Sequence, residues 1–197
     1  TTFVAESTAD TYLDRVLTSL SALSKSELAG ERIGTFVGKT PSTFSDGTGI
    51  EEEHSCFSDQ THRDIYLNFK GIYNLLTGSY KGSVPGVTGA ITSAVDSLAT
   101  STSDVTATSN ILDLLSASTR TALTAQLELS KTAVEKILDQ GENGSGNVFD
   151  QLVLGETANT ASPGPVFDAV IKLQNLGDTI VTAGTELGLT IAPGQAQ

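Results

Sequence analysis

Apolar residues along this chain return every three or four positions, the period of a helix with one buried face. Tyr12, Leu13, Val16, Leu17, Leu20 and Leu23 make the first such stripe, and Ser7 with Asp10 three residues on resembles a capping box that opens it. A short second helix is expected over about 26–37. The clearest stripe is Ile65, Phe69, Ile72, Tyr73 and Leu76, on a helix that starts near Ser58 or Asp59 and stops at Gly78. A smaller helix is expected over 86–99, with Val87, Ile91, Ala94, Val95 and Leu98 inward, and a helical turn near 111–115. A long helix follows Ser118 to about Leu138, with Leu123, Leu127, Val134, Ile137 and Leu138 on one face. The last helix opens at Ser162 with Pro163 next, and Val166, Val170, Leu173, Ile180, Val181 and Leu187 line it. Gly177 and Gly184 lie on that same face, where small residues let a neighbouring helix come close. Gly188 is its expected stop.

Between these stripes the chain turns to Gly, Ser, Thr and Pro. Residues 38–58 read as a long ordered loop, a place that often carries function. Residues 100–110 are ambiguous, and 141–147 read as an exposed Gly-rich loop. No alternating apolar-polar run rises above the helical period. The expected fold is all-α: an antiparallel bundle of about four long helices with short accessory ones, in one domain spanning 1–197.

Composition narrows the partners. Twenty-three acids against 11 bases leave a formal net charge of −12, which repels phosphate backbones and argues against nucleic acid. No run of about eighteen apolar residues offers a membrane span. The sequence has no Met, so residue 1 is expected to be a processed end or a cut. A lone thiol, Cys56, cannot form an internal disulfide and reads best as a small buried hydrophobe.

Residues 50–66 hold both histidines, the only cysteine and five carboxylates. His62 precedes Ile65 by three positions and Phe69 by seven, so it sits on the inward side of the helix start. Asp59 falls on the same side three residues earlier. His54 comes from the preceding loop and could fold back towards them, with Glu53 or Asp64 near. Imidazole and carboxylate together suit a metal ion such as zinc, iron or copper. The candidate metal ligands are Glu53, His54, Asp59, His62 and Asp64. The competing reading is a polar cluster that pins the loop to the bundle, with Asp59 capping the helix, His62 donating to a carboxylate or carbonyl, and Arg63 neutralising nearby acid. No phosphate-binding loop, His-Glu-x-x-His motif or nucleophile elbow appears, and acidic surroundings do not suit a reactive Cys56.

The run Glu-His-Ser-Cys-Phe-Ser-Asp-Gln-Thr-His-Arg-Asp-Ile at 53–65 resembles the imelysin family. So do Gly71-Ile72-Tyr73-Asn74, Gly78-Ser79-Tyr80 and, upstream, Glu27-Leu28-Ala29-Gly30-Glu31-Arg32-Ile33. The resemblance is to the second half of such proteins, specific over 27–80 and general over 83–190. It implies half of a double helical bundle, and an exported bacterial protein of the periplasm, outer-membrane surface or cell exterior. It also implies a part in iron, haem or metal acquisition. The matching polar positions are His54, Cys56, Asp59, Thr61, His62, Arg63 and Asp64. The family's Gly-x-His-x-x-Glu motif belongs to the first half and is absent, so a site that needs it is incomplete within these residues.

Three functions follow from this. The leading one is a non-enzymatic imelysin-like binding protein whose cofactor is a metal ion, iron or zinc. Its partners would be a first-half bundle, further copies of itself, or a small ligand. The others are a structural subunit of an extracellular array or filament, and a metallopeptidase, which needs a catalytic metal with an open position.

Overall fold

The first stripe and the expected second helix form one continuous rod. The computed structural model describes residues 6–37, 54–55, 58–80, 105–106, 109–143, 149–153 and 156–192. Helix α1 runs Glu6–Ala22 and continues without a break into wide π-type turns over Leu23–Ile33, then a 3-10 turn over Gly34–Phe36. The helix includes Glu6, so Ser7 lies inside it. In α1 the buried positions Leu17, Leu20 and Ser21 step by three, then one, as the ordinary helical period allows. Beyond it Ser24, Leu28, Ala29, Gly30 and Ile33 are buried. The wider turns are marked by the Gly34 amide, which bonds back to Ala29 five residues earlier as well as to Gly30.

Helix α2 is Thr61–Thr77, α3 is Ala117–Asn143, α4 is the short Phe149–Val153, and α5 is Pro165–Glu186. Most of the predicted stripe positions are the core, while Tyr73, Val181 and Leu187 pack against it only partly buried. Ile65, Phe69, Ile72 and Leu76 of α2 are buried, with Leu123, Leu127, Val134, Ile137 and Leu138 of α3, and Val166, Val170, Leu173 and Ile180 of α5. Removing one such fully buried Leu or Ile to Ala costs about 2–5 kcal/mol.

Side-chain bonds set the directions. Glu186 at the end of α5 accepts from the Ser116 amide at 2.7 Å and from the Thr119 hydroxyl, so it caps the start of α3. These two helices therefore run antiparallel. His62 at the start of α2 meets Glu142 at the end of α3, and Tyr73 near the end of α2 donates to Glu128 at 3.0 Å, so that pair is antiparallel too. On the other side of α5, Ser21 donates to the Gly177 carbonyl at 3.1 Å and Ser24 to the Leu173 carbonyl at 2.7 Å. A Cβ at Gly177 would stand 2.7 Å from the Cβ of Lys25, so the glycine permits this close approach, as its place on the stripe predicts. The architecture is the expected all-α bundle, with α5 packed between α1 and α3, and α2 against α3.

Several details differ from expectation. Gly184 makes room for Ile191 of the returning chain end, not for a neighbouring helix. The last helix starts at Pro165 after Gly164, not at Ser162. Its C-terminus closes in a Schellman arrangement, with Leu189 bonding to Gly184 and Gly188 to Thr185, and Gly188 takes φ 77°. Gly78 ends α2 with φ 63°, its amide bonding to Asn74. Helix α3 runs past Leu138 to Asn143, so 141–143 are helical where a loop is expected. The turn near 111–115 is a 3-10 helix, Ile111–Leu114. Ser79–Tyr80 pairs with Val105–Thr106 in a two-residue antiparallel ladder that the pattern does not announce. The expected helix at 86–99 lies outside the described residues, as does the 38–58 loop except His54, Ser55 and Ser58.

Candidate functional site

The chemically dense segment divides about the first turn of α2. That helix begins at Thr61, and its N-cap is Gln60, which makes no side-chain cap bond. Asp59, the expected cap, is exposed and stands in the left-handed region at φ 51°. The turn is held instead by Ser55, whose amide bonds to the Thr61 hydroxyl at 3.2 Å and whose hydroxyl donates to Asp64. Helical geometry puts positions 62 and 64 on opposite sides of α2.

His62 faces inward and is 3% exposed. Its Nε2 lies 3.0 Å from Glu142 Oε1. Arg63 clasps the same carboxylate, with Nη2 2.6 Å from Oε2 and Nε on Oε1. The Arg63 hydrogen bond is the main reason that the Glu142 carboxyl is held below its ordinary range, with His62 adding to it and burial opposing. An ionised carboxylate only accepts, so the proton between the two side chains sits on His62 Nε2. His62 Nδ1 is buried and has no partner among the described residues, and Gln60 Oε1 in the preceding turn is in the same state. Gly141 lies against the imidazole, and a Cβ there would stand 2.9 Å from Nδ1 and overlap the ring. The helical turn 140–143 is thus shaped to the histidine it covers.

Asp64 faces outward. With the exposed His54, Leu67 and Asn68 it lines an open depression of about 270 Å³. Partial desolvation of its ring, then the Arg32 guanidinium, holds His54 below the usual imidazole value against the opposing pull of Asp64 and Glu27. Of the five candidate ligands, the structure brings His54 and Asp64 to one surface and places His62 elsewhere. Asp59 is not part of that surface, and Glu53 and Cys56 lie outside the described residues. Among the described residues no group of three or more His, Cys, Asp or Glu side chains could hold a metal ion.

The residue that the sequence reading missed is Glu142. It lies 80 positions from His62, in a stretch that reads as loop. One signal marks it. A carboxylate in the last turn of a helix opposes the macrodipole, and it gains from a cationic partner.

A bundle with this inward histidine and this segment belongs to a known class of helical proteins. The chain matches the family model described as Imelysin, a peptidase family, over residues 2–161, and it belongs to that family. No curated protein matches the chain. Imelysin-family proteins are typically exported. Among the described residues no helix is long and apolar enough to cross a membrane.

Proposed function

We propose that this chain is a non-enzymatic imelysin-family binding protein. It acts in the periplasm, on the outer-membrane surface or outside the cell, and its ligand is a metal ion, iron or zinc, taken up in the service of iron or haem acquisition. His62 Nδ1 is the ligand atom at the inner face. Opening of the 140–143 turn that covers the ring admits the ion, and a first-half bundle or another copy of the chain, with water, supplies the rest of the coordination.

One observation carries this reading. A histidine that binds metal through one nitrogen usually gives its other N–H to a carboxylate, which fixes the tautomer and raises the basicity of the free nitrogen. His62 has that arrangement: Nε2 against Glu142, and Nδ1 buried with no partner among the described residues. Transition metals of the iron and zinc type accept imidazole nitrogen readily. His54 and Asp64, on the opposite face of α2, form a secondary contact for an incoming ion. A His54 kept in its neutral form is ready to ligate. A metallopeptidase would need, besides the ion, an open coordination position and a base beside it.

The test is a zinc and iron titration of the purified chain followed by calorimetry, with a chelator control. Wild type binds about one ion per chain, His62→Ala loses most of the affinity, and His54→Ala loses a smaller part. Unchanged binding in His62→Ala with intact helicity removes the site. Chelator-sensitive cleavage of a denatured protein by wild type overturns the non-enzymatic part.

A further inference from the structure

A second depression, of about 440 Å³, lies where α3 ends and α5 begins. Gln140, Gln151, Glu156, Thr157 and Ser162 supply its polar side chains, and among the described residues no lysine or arginine lines it. Each of these residues offers an oxygen acceptor, and none offers a ring nitrogen or a sulfur. Gln140 Oε1 is buried and has no donor among the described residues. An acceptor in that state carries a desolvation penalty until a donor or a cation meets it.

Glu156 is the charged member. It is 9% exposed, and its carboxylate accepts from the Val166 amide at 3.1 Å and the Phe167 amide at 3.5 Å. Gly164 has no Cβ, and one there would overlap that carboxylate. The amides at the head of α5 therefore fix the carboxylate rather than exhaust it, since a carboxylate has about four lone-pair positions. Gln140 stands in the last turn of α3, where the free carbonyls and the negative end of the helix favour a cation.

We infer that this depression is a site for a hard divalent cation, calcium by its chemistry, held by Gln140 Oε1, Glu156 and the neighbouring amide and hydroxyl oxygens. Its side-chain acceptors are all oxygens, which separates it from the zinc- or iron-type ion proposed for His62, and nothing in it depends on that reading. One carboxylate among neutral oxygens places it with the weak sites of extracellular modules, with dissociation constants of about 0.1–1 mM. The net charge of −12 adds a general attraction for cations but does not choose this place.

The experiment is thermal unfolding of the full chain with calcium, and with magnesium as the control. At 10 mM calcium, about 10–100 times the dissociation constant, the wild-type midpoint rises by about 3–10 °C. Magnesium gives a smaller rise. Gln140→Leu and Gln151→Leu abolish the calcium response, and His62→Ala keeps it. Gln140→Leu removes only an unpartnered acceptor, so without calcium it unfolds no earlier than wild type. No calcium response in wild type overturns the inference. So does a response in the two Gln variants as large as that of wild type, or loss of the response in His62→Ala.

Discussion

His62 Nε2 and Glu142 Oε1 meet at 3.0 Å across 80 positions of sequence and join the first turn of α2 to the last turn of α3. Glu142 serves Arg63 as well, so one carboxylate holds both side chains. Glu142 is 11% exposed, and replacing it leaves His62 and Arg63 without an acceptor. Glu142→Leu is expected to destabilise the chain by about 2–3 kcal/mol in urea unfolding at pH 7. Equal stability of wild type and variant would mean that the contact is incidental.

The same pair makes an acid limb. Arg63 foremost, and His62, hold Glu142 below its ordinary value of 4.5. A group depressed in the fold adds stability that is complete above its unfolded value and is lost as pH falls through its lower folded value. The gap between wild type and Glu142→Gln should therefore be full at pH 6 and close progressively below pH 4.5. A gap that stays constant down to pH 2 would contradict the assignment.

Two glycines in helices should respond in opposite senses to alanine. Nothing stands within 4 Å of a Cβ at Gly71, whereas a Cβ at Gly141 meets the His62 ring. Gly71→Ala gains helix propensity and should stabilise by about 0.5–1 kcal/mol. Gly141→Ala gains the same propensity but displaces the imidazole, and should destabilise by about 1–3 kcal/mol. Denaturant midpoints of the two variants decide it, and like signs would show that the ring does not rest on Gly141.

Tyr66 is buried, and burial, with the Glu135 charge adding, pushes its phenol up to about 12. The folded state then holds the proton more tightly than the unfolded one. Its contribution is complete below about pH 10 and is lost as pH rises through 12. Absorbance titration of the four tyrosines should show a late component that Tyr66→Phe removes. If that component persists in the variant, another tyrosine is the buried one.

Much of this is legible along the chain. The helical period places Ile65, Phe69, Ile72 and Leu76 in the core and His62 on their side, because burial in a helix depends on spacing that can be read locally. The glycine stop at Gly78 is local in the same way. The partner of His62 is not. Gly141 and its neighbours look like a loop by composition, yet the helix continues through them because the missing Cβ lets the imidazole lie against its backbone. Glu156 escapes notice for a related reason. It reaches the head of α5 from ten positions away, while the adjacent Ser162 and Pro163 offer the more familiar start. Among the five candidate ligands Glu53, His54, Asp59, His62 and Asp64, the pair His62 and Asp64 faces different sides because a two-residue step on a helix turns a side chain to the opposite face.

The most direct test of the account is long-range nitrogen NMR of the His62 imidazole with and without zinc. The predicted result is a large zinc-dependent shift confined to Nδ1 that weakens when Glu142 becomes Leu. An Nδ1 signal that zinc leaves unmoved, or a zinc-dependent shift that Glu142→Leu leaves unchanged, would contradict it.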